Sequence, residues 1–367
     1  MRVVYVISGL YRGGLENWLL TLAGSLVAKN YDVLVINLTG HGNLFEEYEA
    51  AGVKVVCLDD KKVRAGTFRF DTTMRLRSVV KKLNPDIIQT MHFSANYHTR
   101  LATIGMDIPQ ITNIHTCGRE KKPFRRFMNQ LLSLKTTQFV SDSYMVKEVV
   151  DDELNYFKKP SSVIYNGLLD DFTQVEPAEL SEFSLTDGPV FVAAARLVPV
   201  KNIAFFLKIF SRILKIIPDA NFLILGDGDL KDSLIELTTE LGIGDNVVFA
   251  GMRNDVPALF AALTHRKSVV VMPSLWEGFP IVGLESLAFG LPLVVSDNVS
   301  LKEVADEAVL TLPLEESVWE KEIVALVQDD VRYQRLVAKE LEIAERFRFS
   351  NIIPEWEALY FELIARK

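Results

Sequence analysis

Short runs of Val, Ile, Leu and Tyr recur along the whole chain, and most are followed by a stretch of helical period. VVYVIS (3–8) precedes LENWLLTLAGSLVAK (15–29); YDVLVINL, GVKVVCL, DIIQTMH, PQITNIHT, TQFVSDS and SSVIYNG follow in turn. The runs are continuously apolar rather than alternating, which suits parallel strands covered on both faces. A chain with this rhythm is confined to wound α/β sheets. The rhythm breaks at 170–189, DDFTQVEPAELSEFSLTDGP, where Pro, Gly, Asp and Ser gather, and this reads as an interdomain linker. It then restarts with PVFVAAARL, NFLILG, NVVFAG, SVVVMP, LPLVVS and AVLTLP. Two consecutive parallel-sheet domains are expected, covering 1–178 and 179–346, with a last helical segment at 347–367.

A length of 367 residues fits two medium domains better than one core. The net charge of −8 argues against a general nucleic-acid binder. Two cysteines, Cys57 and Cys117, make neither a disulfide framework nor a metal cluster. The apolar start is too short for a signal peptide, and no apolar run reaches the ~18 residues of a membrane span. The expectation is a soluble protein of a reducing compartment, the cytoplasm.

Three strand ends in the second half carry chemistry. In open α/β sheets, ligands gather beyond the carboxyl ends of the strands. PVFVAAARL delivers Arg196, and VPVKN places Lys201 at the start of the next helix, where cations are mildly disfavoured unless an anion sits between them. A diphosphate would fit; two surface cations are the plain alternative. NFLILGDGD holds Asp227-Gly228-Asp229, a spacing that can grip a divalent metal. Following a strand and opening a helix, it reads more strongly as a tight turn with a helix cap, and no metal is expected. The third end is SLWEGFPIVGLESLAFG (274–290), apolar apart from Glu277 and Glu285. Glu277 belongs to a loop and Glu285 to a helix that Pro280 starts and Gly290 ends. Carboxylates in apolar surroundings need partners. Sugar hydroxyls are one answer, and an ion pair with the nearby cations is the other.

At this point E-G-F-P-x4-E-S-x3-G-x-P resembles the E-x7-E signature of the retaining family-4 glycosyltransferases, which have the GT-B fold of two Rossmann-like domains facing across a cleft. RGGLEN (12–17) resembles that family's glycine-rich first loop, ITNIHT its strand ending in an active-site histidine, ARLVPVKN its G-R-L-x3-K-N motif, and LGDG its strand-end turn. FVSDS and VIYNGLLDDF are similar to the segments before its linker. The resemblance implies transfer of a hexose from a nucleotide-diphosphate sugar to a saccharide or lipid-linked acceptor, with retention of configuration and without a metal or other cofactor. It also implies that the last helix packs back on the first domain. By matching positions, Glu285 should hold the donor ribose and Glu277 the donor sugar, while Arg196 and Lys201 neutralise the diphosphate. Gly13 and Gly14 should approach the phosphates or acceptor, His115 should meet the sugar near its reacting carbon, and Arg253 should lie near the base. Gly278, Phe279, Pro280 and Ile281 complete the donor-binding set. Three departures stand out. Ala195 replaces the usual Gly before Arg, Ser286 stands where Ala is common, and NGLLDDF carries an extra residue.

Rival readings are weaker. GLYRGGLE has glycines at P-loop spacing, but Leu15 and Glu16 replace the Lys and Ser/Thr that would grip phosphate and magnesium. G-x-G-x-x-G is absent after the first strand. A GT-B sugar-nucleotide epimerase, a phosphorylase, or a non-catalytic nucleotide-sugar-binding partner of another transferase remain as alternatives. Finally, CGREKKPFRRFMNQLLSLK clusters Arg119, Lys121, Lys122, Arg125 and Arg126 with Phe124, Phe127, Met128 and Leu131. Lys61, Lys62, Arg64, Lys81 and Lys82 add basic character to the same half. The 119–131 segment can dock on an anionic membrane surface, or it can be a solvated helix packed by its apolar face on its own sheet.

Overall fold

The computed structural model describes residues 1–59, 69–116, 122–305 and 307–366. The chain forms two compact units, Met1–Gly167 with Phe349–Lys367, and Leu168–Arg348.

The first unit is built on β1 (Arg2–Ile7), β2 (Asp32–Asn37), β3 (Lys54–Cys57), β4 (Ile87–Met91), β5 (Gln110–Ile114), β6 (Gln138–Ser141) and β7 (Ser161–Val163). All pair in parallel, in the order β3-β2-β1-β4-β5-β6-β7. The order reverses between β1 and β4, so a crevice opens beyond their carboxyl ends. The continuous apolar runs become strands because both faces are covered: Val4, Val6, Ile36 and Ile88 pack with Leu76 and Val80 from a helix. Among the helices, α1 (Gly14–Ala28) starts in the glycine loop, α2 (Phe93–Ala102) follows β4, and α3 (Pro123–Leu132) follows β5.

Helix α3 carries apolar side chains on its exposed side. Phe124, Phe127 and Leu131 are 63%, 59% and 51% exposed, and it is Asn129 and Leu132 that turn inward. Phe124, Phe127 and Leu131 therefore face outward, while Leu132 packs inward. Lys122 and Arg126 are exposed beside them, and the Arg125 guanidinium lies 4.5 Å above the Phe93 ring. Arg119, Lys121 and Cys117, like Lys61, Lys62 and Arg64, lie outside the described residues.

The second unit repeats the plan with β8 (Val190–Ala194), β9 (Asn221–Leu225), β10 (Val247–Gly251), β11 (Ser268–Met272), β12 (Leu293–Ser296) and β13 (Leu310–Leu312). They are parallel, in the order β10-β9-β8-β11-β12-β13, and the reversal falls between β8 and β11. Helices α4 (Ile203–Ile213), α5 (Lys231–Glu240), α6 (Ile281–Phe289) and α7 (Asp330–Ala344) flank the sheet. Phe191, Phe206, Phe210, Phe222 and Trp319 form an aromatic core against α4. Glu340 of α7 is fully buried and accepts the Leu293 amide at 2.7 Å; burial raises its pKa well above the ordinary carboxyl range.

Residues 170–189, expected as the interdomain linker, pack on the second unit. Phe172 meets Phe289 edge-on, Ala178 N–H donates to Ala258, Phe183 is buried, and the Thr186 amide donates to Asn221. The segment's prolines and polar residues supply turns rather than slack. The units divide at 167/168 and 348/349, so 168–178 lies in the second unit. The last helix, α8 (Phe349–Ala365), belongs to the first unit. Tyr360 donates its hydroxyl to Gln89 at 2.5 Å and meets the Tyr5 hydroxyl at 2.8 Å. Trp356 packs edge-on against Trp18, and Lys29 pairs with Glu357 at 2.6 Å.

Candidate active site

In the second unit, the carboxyl ends of β8 and β9 are locked together by backbone. The Ala195 amide donates to Leu225, Leu197 to Asp227, and Leu230 back to Leu197. Gly226 and Gly228 make this approach possible: a Cβ at Gly226 would lie 1.9 Å from the Ala195 carbonyl oxygen, and one at Gly228 2.5 Å from that of Leu197. Helix α5 starts after Leu230, whose side chain caps nothing, so the expected acidic N-cap is absent. Asp227 instead accepts the Gly228 amide at 2.7 Å and sits 3.6 Å from Lys231. Among the described residues, no three His, Cys, Asp or Glu side chains gather as a metal site.

At the switch between β8 and β11, the structure brings Lys201 and Glu277 together. Lys201 ends a 3-10 turn, Pro199–Lys201, and the loop after β11 is tied to that turn by Leu275 N–H donating to Val200 at 2.8 Å. Lys201 Nζ then lies 2.5 Å from Glu277 Oε1, with each side chain about 15% exposed. Ser274 Oγ donates to the same oxygen at 2.9 Å. The other side of the loop is held by Glu277 N–H to Asn298 and by the Ser300 hydroxyl to Gly278. Of the two expected partners of Glu277, the structure shows the cation. A lysine and a glutamate 76 positions apart are oriented by three strand ends.

Pro280 occupies the cap of α6 and the helix proper starts at Ile281; Gly290 closes it in the left-handed conformation at φ +61°. Phe279 is buried against Phe347, 5.4 Å between ring centres. Glu285 stands on α6, partly buried, with no hydrogen bond or ion pair among the described residues. Desolvation pushes its carboxyl up to about 7. Ser286 is buried and donates to the Leu291 carbonyl at 2.6 Å, a bond that the more usual Ala could not make. Arg196 is exposed, with no ion pair among the described residues. Arg253 is already engaged: it pairs with Asp255 at 2.7 Å and Glu182 at 3.0 Å, and lies over the Phe183 ring. Those carboxylates hold its pKa above its usual range.

In the first unit, Gly13 is the extended cap of α1 and Gly14 its first residue. The Glu16 side chain folds back over Gly13, where a Cβ would lie 2.5 Å from Glu16 Oε2. Across the reversal between β1 and β4, His92 Nε2 lies 3.7 Å from Glu16 Oε1. His92 holds φ +72°, a left-handed value that strains a non-glycine residue and is concentrated at functional sites. His115 follows β5, and its Nδ1 lies 3.5 Å from Asp142 Oδ2. Trp18 meets the imidazole edge-on at 5.7 Å. The sequence reading passed over His92, Glu16 and Asp142. A histidine ending the apolar run DIIQTMH was the visible sign for the first, whereas the other two depend on spatial neighbours.

Residues 12–171 match the family model for glycosyltransferase family 4, and residues 178–339 match that for glycosyl transferases group 1. Together they cover nearly the whole chain. The chain belongs to the family-4 glycosyltransferases. This glycosyltransferase is 26% identical, over 99% of both chains, to a Campylobacter jejuni GalNAc-alpha-(1->4)-GalNAc-alpha-(1->3)-diNAcBac-PP-undecaprenol alpha-1,4-N-acetyl-D-galactosaminyltransferase. It is 30% identical, over 60% of each chain, to an Escherichia coli UDP-Gal:alpha-D-GlcNAc-diphosphoundecaprenol alpha-1,3-galactosyltransferase. Among solved structures, Anabaena HepE in complex with UDP and glucose superposes with a TM-score of 0.81 at 18% identity, over 99% of this chain and 100% of that one. The fold of the glycosyltransferase is GT-B: two Rossmann-like parallel-sheet domains of seven and six strands. Among the described residues, no helix is long and apolar enough to cross a membrane.

Proposed function

We propose that this glycosyltransferase moves a hexose from a nucleoside-diphosphate sugar to a saccharide or lipid-linked acceptor, with retention of anomeric configuration. The observation that carries the reading is the Lys201–Glu277 pair at the β8/β11 switch, with the unpaired Arg196 on the same strand end. Cleaving a sugar–phosphate bond builds negative charge on the departing diphosphate, and fixed cations stabilise that charge without reorganising. Arg196 and Lys201 supply it, so that the chemistry proceeds without a metal. When the diphosphate takes over Lys201, Glu277 is released to accept hydroxyls of the donor sugar. Glu285, desolvated and without a hydrogen bond or ion pair among the described residues, accepts the two ribose hydroxyls. Gly278, Phe279, Pro280 and Ile281 line the donor, Arg253 lies by the base, Gly13 and Gly14 approach the phosphate or acceptor once Glu16 swings off Gly13, and His115 serves the reacting sugar. The acceptor hydroxyl attacks on the face the diphosphate leaves, with the phosphate as base.

The relatives support the acceptor class: the Campylobacter and Escherichia enzymes bear names that specify undecaprenol-linked saccharides. The outward Phe124, Phe127 and Leu131 of α3, flanked by Lys122 and Arg126, suit an anionic lipid surface carrying such an acceptor, reached from the cytoplasm.

The test is a thermal-shift screen of nucleoside diphosphates and their sugars, followed by transfer to an undecaprenyl-diphosphate saccharide with the product anomer read by NMR. Stabilisation by one nucleotide class, its loss in Arg196→Ala and Lys201→Ala, and a retained anomer are expected. An inverted anomer, or trapping of a glycosylated carboxylate with a slow donor, overturns the stereochemical route. Donor-only epimerisation or a phosphate requirement would replace transfer by the epimerase or phosphorylase reading. Nucleotide binding without any turnover would leave only a binding partner.

A further inference from the structure

The fold sets a carboxylate beside His115. Strands β5 and β6 run parallel with Ile114 opposite Ser141, so the residues that follow them, His115 and Asp142, leave the sheet side by side. His115 Nδ1 lies 3.5 Å from Asp142 Oδ2, and the two side chains are 13% and 3% exposed. Among the described residues neither imidazole nitrogen makes a hydrogen bond, and Thr116 Oγ1, Ser141 Oγ and Trp18 Nε1 are likewise buried without one. Native interiors rarely leave such groups unsatisfied, and a cluster of them at the carboxyl edge of a parallel sheet marks a place where polar ligand atoms or water complete the bonding. The Trp18 ring packs edge-on against the imidazole and limits its rotation. A contact of 3.5 Å is longer than a well-made bond, and catalytic hydrogen bonds are commonly long before substrate arrives and tighten in the complex.

We propose that Asp142 is a positioning residue that holds His115 as its Nδ1–H tautomer and so presents Nε2, as an acceptor, to the sugar. This rests on the reading of His115 given above. Asp142 touches no reacting atom. It acts by accepting the Nδ1 proton and fixing the ring plane, as a carboxylate does for a functional imidazole elsewhere. An isosteric amide cannot do this equally, because its NH2 can donate to Nδ1 and favour the opposite tautomer.

The experiment uses the full chain labelled with 15N-histidine. With five histidines in the chain, His115→Gln assigns the resonances. At a pH where the imidazole is neutral, the wild type is expected to carry its proton on Nδ1, and Asp142→Asn to shift it toward Nε2. In transfer assays Asp142→Asn should lower kcat by about 10–100-fold with little change in donor KM, and Asp142→Glu should recover part of the loss. A wild-type proton on Nε2 overturns the proposal, and this reading survives even if every Asp142 variant fails to fold. An unchanged tautomer in folded Asp142→Asn, or unchanged kcat, overturns it as well. Because the tautomer is read without substrate, a chain that transferred no sugar would count against the proposed function and leave the dyad standing.

Discussion

On the proposed function Glu285 combines a stability cost with a binding role, and pH separates the two. Its carboxyl is raised to about 7 by desolvation, from an ordinary 4.5, with no cation to offset it. A carboxylic acid that ionises later in the folded chain than in the unfolded one contributes stability below pH 4.5 and loses it progressively up to about pH 7. The full loss is about 3 kcal/mol, at about 1.4 kcal/mol per pH unit. If Glu285 holds the donor ribose as proposed, the hydroxyls donate to the ionised form, so the nucleotide binds the carboxylate and expels the proton. At pH 6 the free site is about nine-tenths protonated, and nucleotide affinity should rise roughly tenfold between pH 6 and pH 8. Calorimetry of nucleoside-diphosphate binding in two buffers of different ionisation enthalpy measures the effect directly. Close to one proton should be released at pH 6 and almost none at pH 8. Glu285→Gln should bind weakly at both pH values, lose the proton linkage, and unfold at a higher temperature than the wild type above pH 7. Equal affinity at pH 6 and pH 8 with no proton release, or a Gln variant that binds like the wild type, would refute the reasoning.

Other substitutions read other parts of the site. Lys201→Ala leaves Glu277 without its cation and should cost about 2 kcal/mol in chemical denaturation, with a larger loss in donor affinity. Gly226→Ala drives a Cβ into the Ala195 carbonyl, and should lower the melting temperature and weaken nucleotide binding together, because the strand-end turn must move. Phe124→Ser with Phe127→Ser should abolish flotation with anionic liposomes while leaving melting temperature and transfer to a water-soluble acceptor intact; indifference of the wild type to lipid charge would remove the membrane part of the reading. Arg253→Ala breaks two partly exposed ion pairs and should shift stability by less than about 1 kcal/mol, with its main effect on nucleotide KM.

What the sequence disclosed follows the range of the interactions involved. The continuous apolar runs marked the strands, since burial on both faces leaves no polar positions within them. Pro280 and Gly290 marked the limits of α6 to within a residue, because both act through their own backbone. At 170–189 composition leaves the packing open: prolines and acids serve equally well in a slack tether and in turns packed on a surface, and only Phe172 and Phe183 hint at packing. The partners of Glu277 were open between a sugar and a lysine because Leu275–Val200, the bond that aligns them, joins distant segments. Asp142 was invisible for the same reason: its nearness to His115 is set by the register of β5 on β6. The outward face of α3 was equally undecided, since an amphipathic pattern does not say which side meets the protein.

The assignment of α8 to the first unit bears on how this chain comes off the ribosome. The second unit is one uninterrupted segment, Leu168–Arg348, and has all its parts before synthesis ends. The first unit emerges earlier yet stays incomplete, with Tyr5, Trp18 and Gln89 awaiting Tyr360 and Trp356, which are translated after the whole second unit. The unit born first is completed only after its successor, and a stop codon between Arg348 and Trp356 should therefore damage the unit that begins at Met1.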